Sequence, residues 1–295
     1  MLLVYLTLGL IIGVISPVFF DGIERKLKAY LQSRIGPPIT QTLYDLLKLI
    51  NKEVKPIHTT PFIVLYLLSF ISSTLASILM VEIYVYTGES LYITLGLSLL
   101  AISLTSLTIA PLLVPNPFSY AGGMREVVLA LINESAFIVS VTMYISLINN
   151  LLQTEALSIP LVLSVITITI TMFVSGYALT GRAPFDIAEA EPELASGILV
   201  EFSGKLLAAY LYCNLLKRFL ITLITAGVIT APLIKHSVFS LATTFVLTVL
   251  LWIVFAVISV TLGRSRVDLA PKTLAKTYIL FISLSITGLL VHAYG

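Results

Sequence analysis

Carboxylate side chains occur beside long apolar segments at two places in this 295-residue sequence. Glu134 lies inside an apolar segment. The fifteen-residue run from Arg182 to Ser196 holds four acidic residues, and Glu201 follows five residues later. An ionised carboxylate at the centre of a membrane costs on the order of 3 kcal/mol, so acidic groups in this setting indicate ion or proton handling.

Glu134 is the deeper of the two predicted sites. It follows Arg125 by nine residues, which places it about 13 Å further along a helix and close to the bilayer centre. Nine residues also turn it half a turn away from Arg125, so that arginine is not its obvious partner. Burial favours the neutral carboxyl group, which suits a residue that gains and releases a proton. The alternative is a neutral Glu134 that only hydrogen-bonds another helix.

The acidic run predicts a group of coupled carboxylates. Pro192 fits the first turn of a helix, on which Glu193 and Glu201 share one broad face. Closely spaced carboxylates cannot all ionise in a low dielectric, so their titrations are coupled, and intervening water can pass protons among them. The alternatives are a solvated acidic loop or a docking surface for a basic partner. The predicted ion-coupling residues are Glu134, Asp186, Glu189, Glu191, Glu193 and Glu201.

The elements that position these residues are membrane spans. The chain is 58% hydrophobic and only 11% charged, whereas soluble domains average about 25% charged, so an all-α polytopic bundle is expected, as one domain over residues 1–295. About eight segments are long enough to cross roughly 30 Å of hydrocarbon. They are 1–20, 61–85, 91–114, 126–149, 158–180, 204–232, 237–262 and 273–293. Lys205, Asn214, Lys217 and Arg218 interrupt the sixth, which is predicted to be one long helix with polar groups facing protein.

Charge and cysteine content restrict the function further. Lys and Arg concentrate in alternate loops, which predicts a multi-pass cell-membrane protein with both termini on the outer side. The net charge of +2 argues against nucleic acid as a partner. The single cysteine, Cys213, excludes an internal disulfide and a cysteine-ligated cluster, and the three histidines show no metal-ligand spacing. No catalytic residue, metal or cofactor is therefore assigned to this chain.

The longest loop, residues 21–60, is predicted to contain two short helices. Ile23, Leu27 and Leu31 recur every four residues, the pattern of a helix lying in the membrane interface. Gly36-Pro37-Pro38 ends that helix, because proline cannot continue it. A second helix is expected across Leu43–Ile50.

Two long motifs resemble those of the complex I subunit 1 family. They are the run Glu24–Pro37 and the run Arg182–Gly204, accompanied by the Arg125–Glu134 spacing and by Arg264-Ser-Arg266-Val-Asp268. The compact segment Pro38–Glu53 is most similar in pattern to the membrane anchor of archaeal energy-converting nickel–iron hydrogenases and related sulfur-reducing complexes.

The resemblance implies a non-catalytic anchor and coupling subunit of a ferredoxin-linked, ion-translocating oxidoreductase complex. Its partners would be hydrogenase-like large and small peripheral subunits, which carry the iron–sulfur clusters and the nickel–iron centre, together with antiporter-like membrane subunits, membrane lipid and ferredoxin as indirect donor. The residues expected to dock the peripheral arm are Arg25, Arg34, Lys48, Glu53, Arg182, Arg264 and Arg266.

Three other functions remain open at this point. One is a quinone-site subunit of a complex I-like oxidoreductase that takes electrons from NADH or another donor. Another is a stand-alone cation/proton antiporter, although the paired broken spans of many secondary transporters are missing. The last is a purely structural platform.

Overall fold

The computed structural model describes residues 2–53, 59–114, 116–153, 158–187, 199, 202–234 and 238–294, most of which are helical. The helices are α1 (Leu2–Leu31), α2 (Gln41–Ile50), α3 (Thr59–Ser77), α4 (Ser90–Ile109), α5 (Pro117–Gln153), α6 (Ile159–Leu179), α7 (Gly204–Thr230), α8 (Val238–Thr261) and α9 (Leu269–Tyr294). A π-helical segment, Ile78–Tyr84, and a single turn, Val85–Thr87, continue α3. A 3-10 turn, Ala110–Leu113, ends α4.

The predicted helical membrane bundle is confirmed. Within the described parts of the chain, six helices are long and apolar enough to cross a membrane. They are Ser90–Leu113, Pro117–Asn149, Ile159–Leu179, Gly204–Thr230, Phe239–Thr261 and Leu269–His292. The first predicted span, 1–20, falls in α1, and the second, 61–85, follows α3 into the π-helical segment.

Helix α7 is the centre of the bundle. In the most apolar stretch of α7, 83% of the residues are buried inside the bundle, whereas the corresponding share in α9 is 17%. It packs against α1, α2, α3 and α8. A helix that is apolar on all sides is stable only where other helices surround it. The prediction of one long sixth span is correct, because α7 runs unbroken past Lys217 and Arg218.

The helix expected after the first span is present, but it is not separate from that span. Helix α1 continues without a break to Leu31. The side chains that the spacing predicts to face the membrane are not the ones that are buried inside the bundle. Asp21 and Glu24 are buried, whereas Ile23 and Leu31 are exposed. The reason is electrostatic: the buried face of α1 carries acidic groups with charged and hydroxyl partners inside the bundle, and these pairings override the apolar periodicity.

Helix α2, predicted from its apolar residues, is joined to α1 by charged side chains. Arg25 lies 2.9 Å from Asp21 and 2.9 Å from Asp45. Thr42 donates a hydrogen bond of 2.8 Å to Asp21, and Gln41 donates one of 2.9 Å to Asp45. These contacts fix α2 beside the end of α1 at which the charged residues collect.

The start of α7 lies against the end of the segment that follows α2. Gly204 has φ +54°, a conformation that favours glycine, and a Cβ there would stand 2.8 Å from the carbonyl oxygen of Glu53. Only glycine allows this close approach, so the first turn of α7 is held beside α2 and α1.

Candidate ion-coupling site

A buried ion pair joins α1 to the segment after α6. Arg182 Nε donates to Glu24 Oε1 at 3.0 Å, and Arg182 Nη2 donates to Glu24 Oε2 at 2.6 Å. The two side chains are 1% and 2% exposed. Two parallel charge-assisted hydrogen bonds fix both the distance and the orientation of the groups.

The surroundings of Arg182 explain how a guanidinium is accommodated inside the bundle. Its Cζ lies 4.5 Å from the centre of the Trp252 ring and 6.0 Å from that of Phe255, both on α8. A cation over an aromatic face is stabilised by the ring quadrupole, most strongly over tryptophan. On the other side, Lys28 Nζ lies 2.8 Å from Glu24 Oε1.

Two opposing effects determine the charge of Glu24. Burial by itself would raise the pKa of this carboxyl group, but the hydrogen bonds and charge of Arg182, aided by Lys28 and Arg218, lower it to about 2. Burial lowers the pKa of Arg182, and the Glu24 carboxylate counteracts that effect. The pair is therefore held in its ionised form.

A polar cavity of about 50 Å³ lies beside this ion pair, between α5, α7 and the end of α6. Its polar lining residues are Thr108, Glu126, Asn133, Thr180, Asp186, Asn214, Lys217 and Arg218. Arg218 links the cavity to the ion pair, because it also hydrogen-bonds the Thr180 carbonyl at 2.9 Å and acts electrostatically on Glu24. A volume of this size with several polar partners can hold a few water molecules.

Lys217 connects the cavity with Glu134. Its Nζ lies 3.2 Å from Glu126 Oε1, and both side chains are largely buried. It is also the charged group that acts electrostatically on Glu134, whose side chain is 8% exposed. Next to Glu134, Asn133 lines the cavity and accepts a hydrogen bond of 2.7 Å from Tyr278 on α9. Lys217 thus interacts with Glu126 at the cavity and with Glu134, which lies deeper in the membrane.

Asp186 also lines the cavity. Its Oδ2 accepts hydrogen bonds from Arg264 Nε at 2.9 Å and Nη2 at 2.8 Å. Its other oxygen, Oδ1, is buried and has no hydrogen-bond partner in the part of the chain that the structure describes. That oxygen can accept a hydrogen bond from water.

The predicted ion-coupling residues thus fall into two groups. Asp186 lies on the polar cavity, and Glu134 is buried within electrostatic range of Lys217, a lining residue. Glu189, Glu191, Glu193 and Glu201 lie outside the described residues.

The residues predicted to dock the peripheral arm differ in their exposure to solvent. Arg34, Lys48, Glu53, Arg264 and Arg266 are exposed, and Arg25 is exposed while bridging two acids of α1 and α2. Arg182 differs from the expectation, since it is 2% exposed and pairs with Glu24 inside the bundle. A buried partner for its charge explains why it is not at the surface.

Three important residues of the candidate site were not predicted from the sequence. Glu24 appeared only as part of a motif, Glu126 was not considered, and Trp252 was not assigned a role. A usable signal was the basic pair Lys217-Arg218 inside an apolar span, because buried cations require partners. The sequence carries few other carboxylates that could supply one.

A second cavity is almost entirely apolar. This groove of about 500 Å³ lies between α3 and α7 and is lined by Tyr66, Phe70, Tyr212 and Cys213, with Lys205 among its lining residues. Tyr212 donates a hydrogen bond of 2.8 Å to the Val14 carbonyl of α1. The size and lining of the groove suit an apolar ligand.

Long apolar helices that enclose paired charges and a polar cavity define an integral membrane subunit with charged groups in its interior. A sequence profile described as NADH dehydrogenase matches residues 4–293. The chain belongs to this family, the membrane subunits of complex I-like and hydrogenase-type complexes, which confirms the resemblance seen in the sequence.

Individual relatives come from both kinds of complex. Hydrogenase-4 component C of Escherichia coli (strain K12) is 31% identical over 211 residues, 68% of this chain and 66% of that protein. NADH-ubiquinone oxidoreductase chain 1 of Varanus jobiensis is 30% identical over 289 residues, 90% of this chain and 87% of that one.

The fold is shared with a solved archaeal complex. A chain of the membrane-bound sulfane sulfur reductase, an archaeal respiratory membrane complex, superposes with a TM-score of 0.73 over 96% of this chain and 99% of that chain. The sequence identity is 21%, so this likeness concerns the fold.

Proposed function

We propose that this chain is the anchor and coupling subunit of a ferredoxin-linked, ion-translocating complex of the hydrogenase type. Its peripheral partners would carry the iron–sulfur clusters and nickel–iron centre, and antiporter-like subunits would lie beside it in the membrane. Both termini would face the outer side. The observation that carries the proposal is the polar cavity, which is lined by Asp186, Glu126 and Lys217.

The coupling step follows from the charges around this cavity. Asp186 is partly exposed and paired with Arg264, so a charge or movement in a docked subunit can alter that pair. A proton that reaches Asp186 Oδ1 changes the field across the cavity, and water there can carry it onward. Lys217 shares its charge between Glu126 and Glu134. A movement of Lys217 between these two acids would therefore change the electrostatic field at both of them.

The decisive experiment separates redox activity from ion movement. We expect Glu134→Gln and Asp186→Asn complexes to assemble and to retain part of their ferredoxin-dependent turnover, while ion uptake into inverted vesicles falls about tenfold, the effect of about 1.4 kcal/mol on a barrier. Glu89→Gln, at an exposed acid outside the cavity, is the matched control. Normal ion uptake by an assembled Glu134→Gln complex would refute the coupling role.

The apolar groove supports a second candidate function, a quinone-site subunit. A groove of about 500 Å³ that includes tyrosines and a lysine has room for a substituted ring and part of its tail. Extraction of the purified complex and analysis for quinone distinguishes the two functions. Stoichiometric quinone with quinone-dependent turnover supports the second function, and turnover that needs none supports the first.

A further inference from the structure

Glu82 is an acidic residue that the proposed coupling path does not use. It lies in the π-helical segment that continues α3, at the same end of the bundle as the start of α1. Along α1, its neighbour Gly9 is fifteen residues from Glu24, about 22 Å at the helical rise. Glu82 is therefore remote from the Glu24–Arg182 pair.

The carboxylate of Glu82 packs against α1 at Gly9. A Cβ built on Gly9 would lie 1.1 Å from Glu82 Oε1, so the oxygen occupies the space that any larger residue would need. The other oxygen, Oε2, is buried and has no hydrogen-bond partner among the described residues. π-helical segments are rare, and they occur frequently at functional sites.

The described parts of the packed elements at this end of the bundle carry no basic side chain. The π segment packs against α1, α3, α4, α7 and α8. Residues 2–20, 59–124, 219–230 and 238–261 contain no Lys, Arg or His. The titratable side chains described on these elements at this end are Tyr84, Tyr86 and Tyr92, with Glu89 in the turn before α4. Lys235 and His236, between α7 and α8, lie outside the described residues.

We propose that Glu82 is a cation-binding carboxylate, which takes a proton or a sodium ion at the end of the bundle that carries the N terminus. The buried oxygen of this carboxylate is costly unless it is neutralised or hydrogen-bonded, and the described parts of the packed elements at this end supply no cationic side chain. Gly9 keeps room for the carboxylate beside α1. The site is separate from the proposed coupling residues and does not depend on them.

A carbodiimide that partitions into the membrane provides a direct probe, because it adds to a protonated carboxyl group in an apolar setting and leaves an acylurea. The intact complex is treated across a pH series, with and without sodium, and the adducts are located by mass spectrometry. We expect an adduct on Glu82 that falls about tenfold per pH unit above its midpoint, as for one titrating proton. Glu89 is the internal control, because it is exposed at the same end.

The two cations give different results. If sodium competes for the site, added sodium reduces the adduct at constant pH, and if only protons bind, sodium has no effect. Gly9→Ala, which displaces the carboxylate, shifts the midpoint of the pH series relative to the unsubstituted complex. Absence of any Glu82 adduct, or an adduct that responds to neither pH nor sodium, overturns the proposal. Labelling is measured without turnover, so this result is independent of the Glu134→Gln experiment.

Discussion

Arg182 donates two hydrogen bonds to Glu24, a residue 158 positions earlier in the chain. The pair ties the end of α1 to the connector that leads from α6 to Asp186. Both side chains are almost completely buried, so removal of either one leaves the other as a buried charge without its partner. The rigidity of this junction allows a change at Asp186 to act on the cavity rather than on a loose loop.

Removing one partner should be strongly destabilising. Glu24→Gln leaves the Arg182 cation buried without its counter-charge, and we expect a loss of about 3–5 kcal/mol in the free energy of unfolding. Denaturant unfolding of the complex in mixed micelles measures this loss. The double variant Glu24→Gln/Arg182→Gln should lose less than the sum of the single variants, and strict additivity would show that the pair is not coupled. Glu53→Gln, at an exposed acid, should change little.

The ionisation of Glu24 predicts a defined pH dependence. Its pKa in the folded protein is about 2, below the ordinary value of 4.5, so the pair stabilises the fold fully above about pH 5. This contribution is lost as the pH falls from 4.5 toward 2, and it corresponds to about 3 kcal/mol. The difference in stability between the unsubstituted protein and Glu24→Gln should therefore be constant at neutral pH and shrink over that acidic window. A difference that persists unchanged at pH 2 would contradict the assignment.

Apolar length and composition predict the helices well but not which faces are buried. The unbroken course of α7 follows from its sequence, since a division at Arg218 leaves a piece too short to cross a membrane. In α1, however, the spacing of Ile23, Leu27 and Leu31 favoured an interfacial helix, whereas Glu24 is the residue that turns inward. Its partner, Arg182, is distant in sequence, and helical periodicity carries no information about such contacts.

The candidate site shows the same limit. Glu134 can be predicted from the sequence, because the energetic cost of placing a carboxylate at membrane depth depends on that residue alone. The contact between Lys217 and Glu126 depends on how α5 and α7 pack, which no spacing within either helix specifies. The orientation of Asp186 toward a cavity likewise requires three elements to meet.

Lys217 should be required for ion movement through its charge. Lys217→Met removes the cation that pairs with Glu126 and interacts electrostatically with Glu134, so both acids lose a favourable interaction with a positive charge. We expect ion uptake into inverted vesicles to fall about tenfold or more while the complex remains assembled. Lys217→Arg keeps the charge and should restore much of the uptake. Equal defects in the methionine and arginine variants would indicate a packing effect instead.

The contact between Arg182 and Trp252 should contribute measurably to the same junction. The guanidinium carbon lies 4.5 Å from the ring centre, within the range of a cation–π interaction, and the site is desolvated. Trp252→Leu removes both ring packing and this attraction, so the coupling must be isolated with Arg182→Met in a double-mutant cycle. We expect a coupling free energy of about 2 kcal/mol from denaturant unfolding. The same cycle with Phe255→Leu is the control, because that ring lies 6.0 Å away and should give a smaller value. Equal coupling energies for the two rings would show that Trp252 contributes by packing alone.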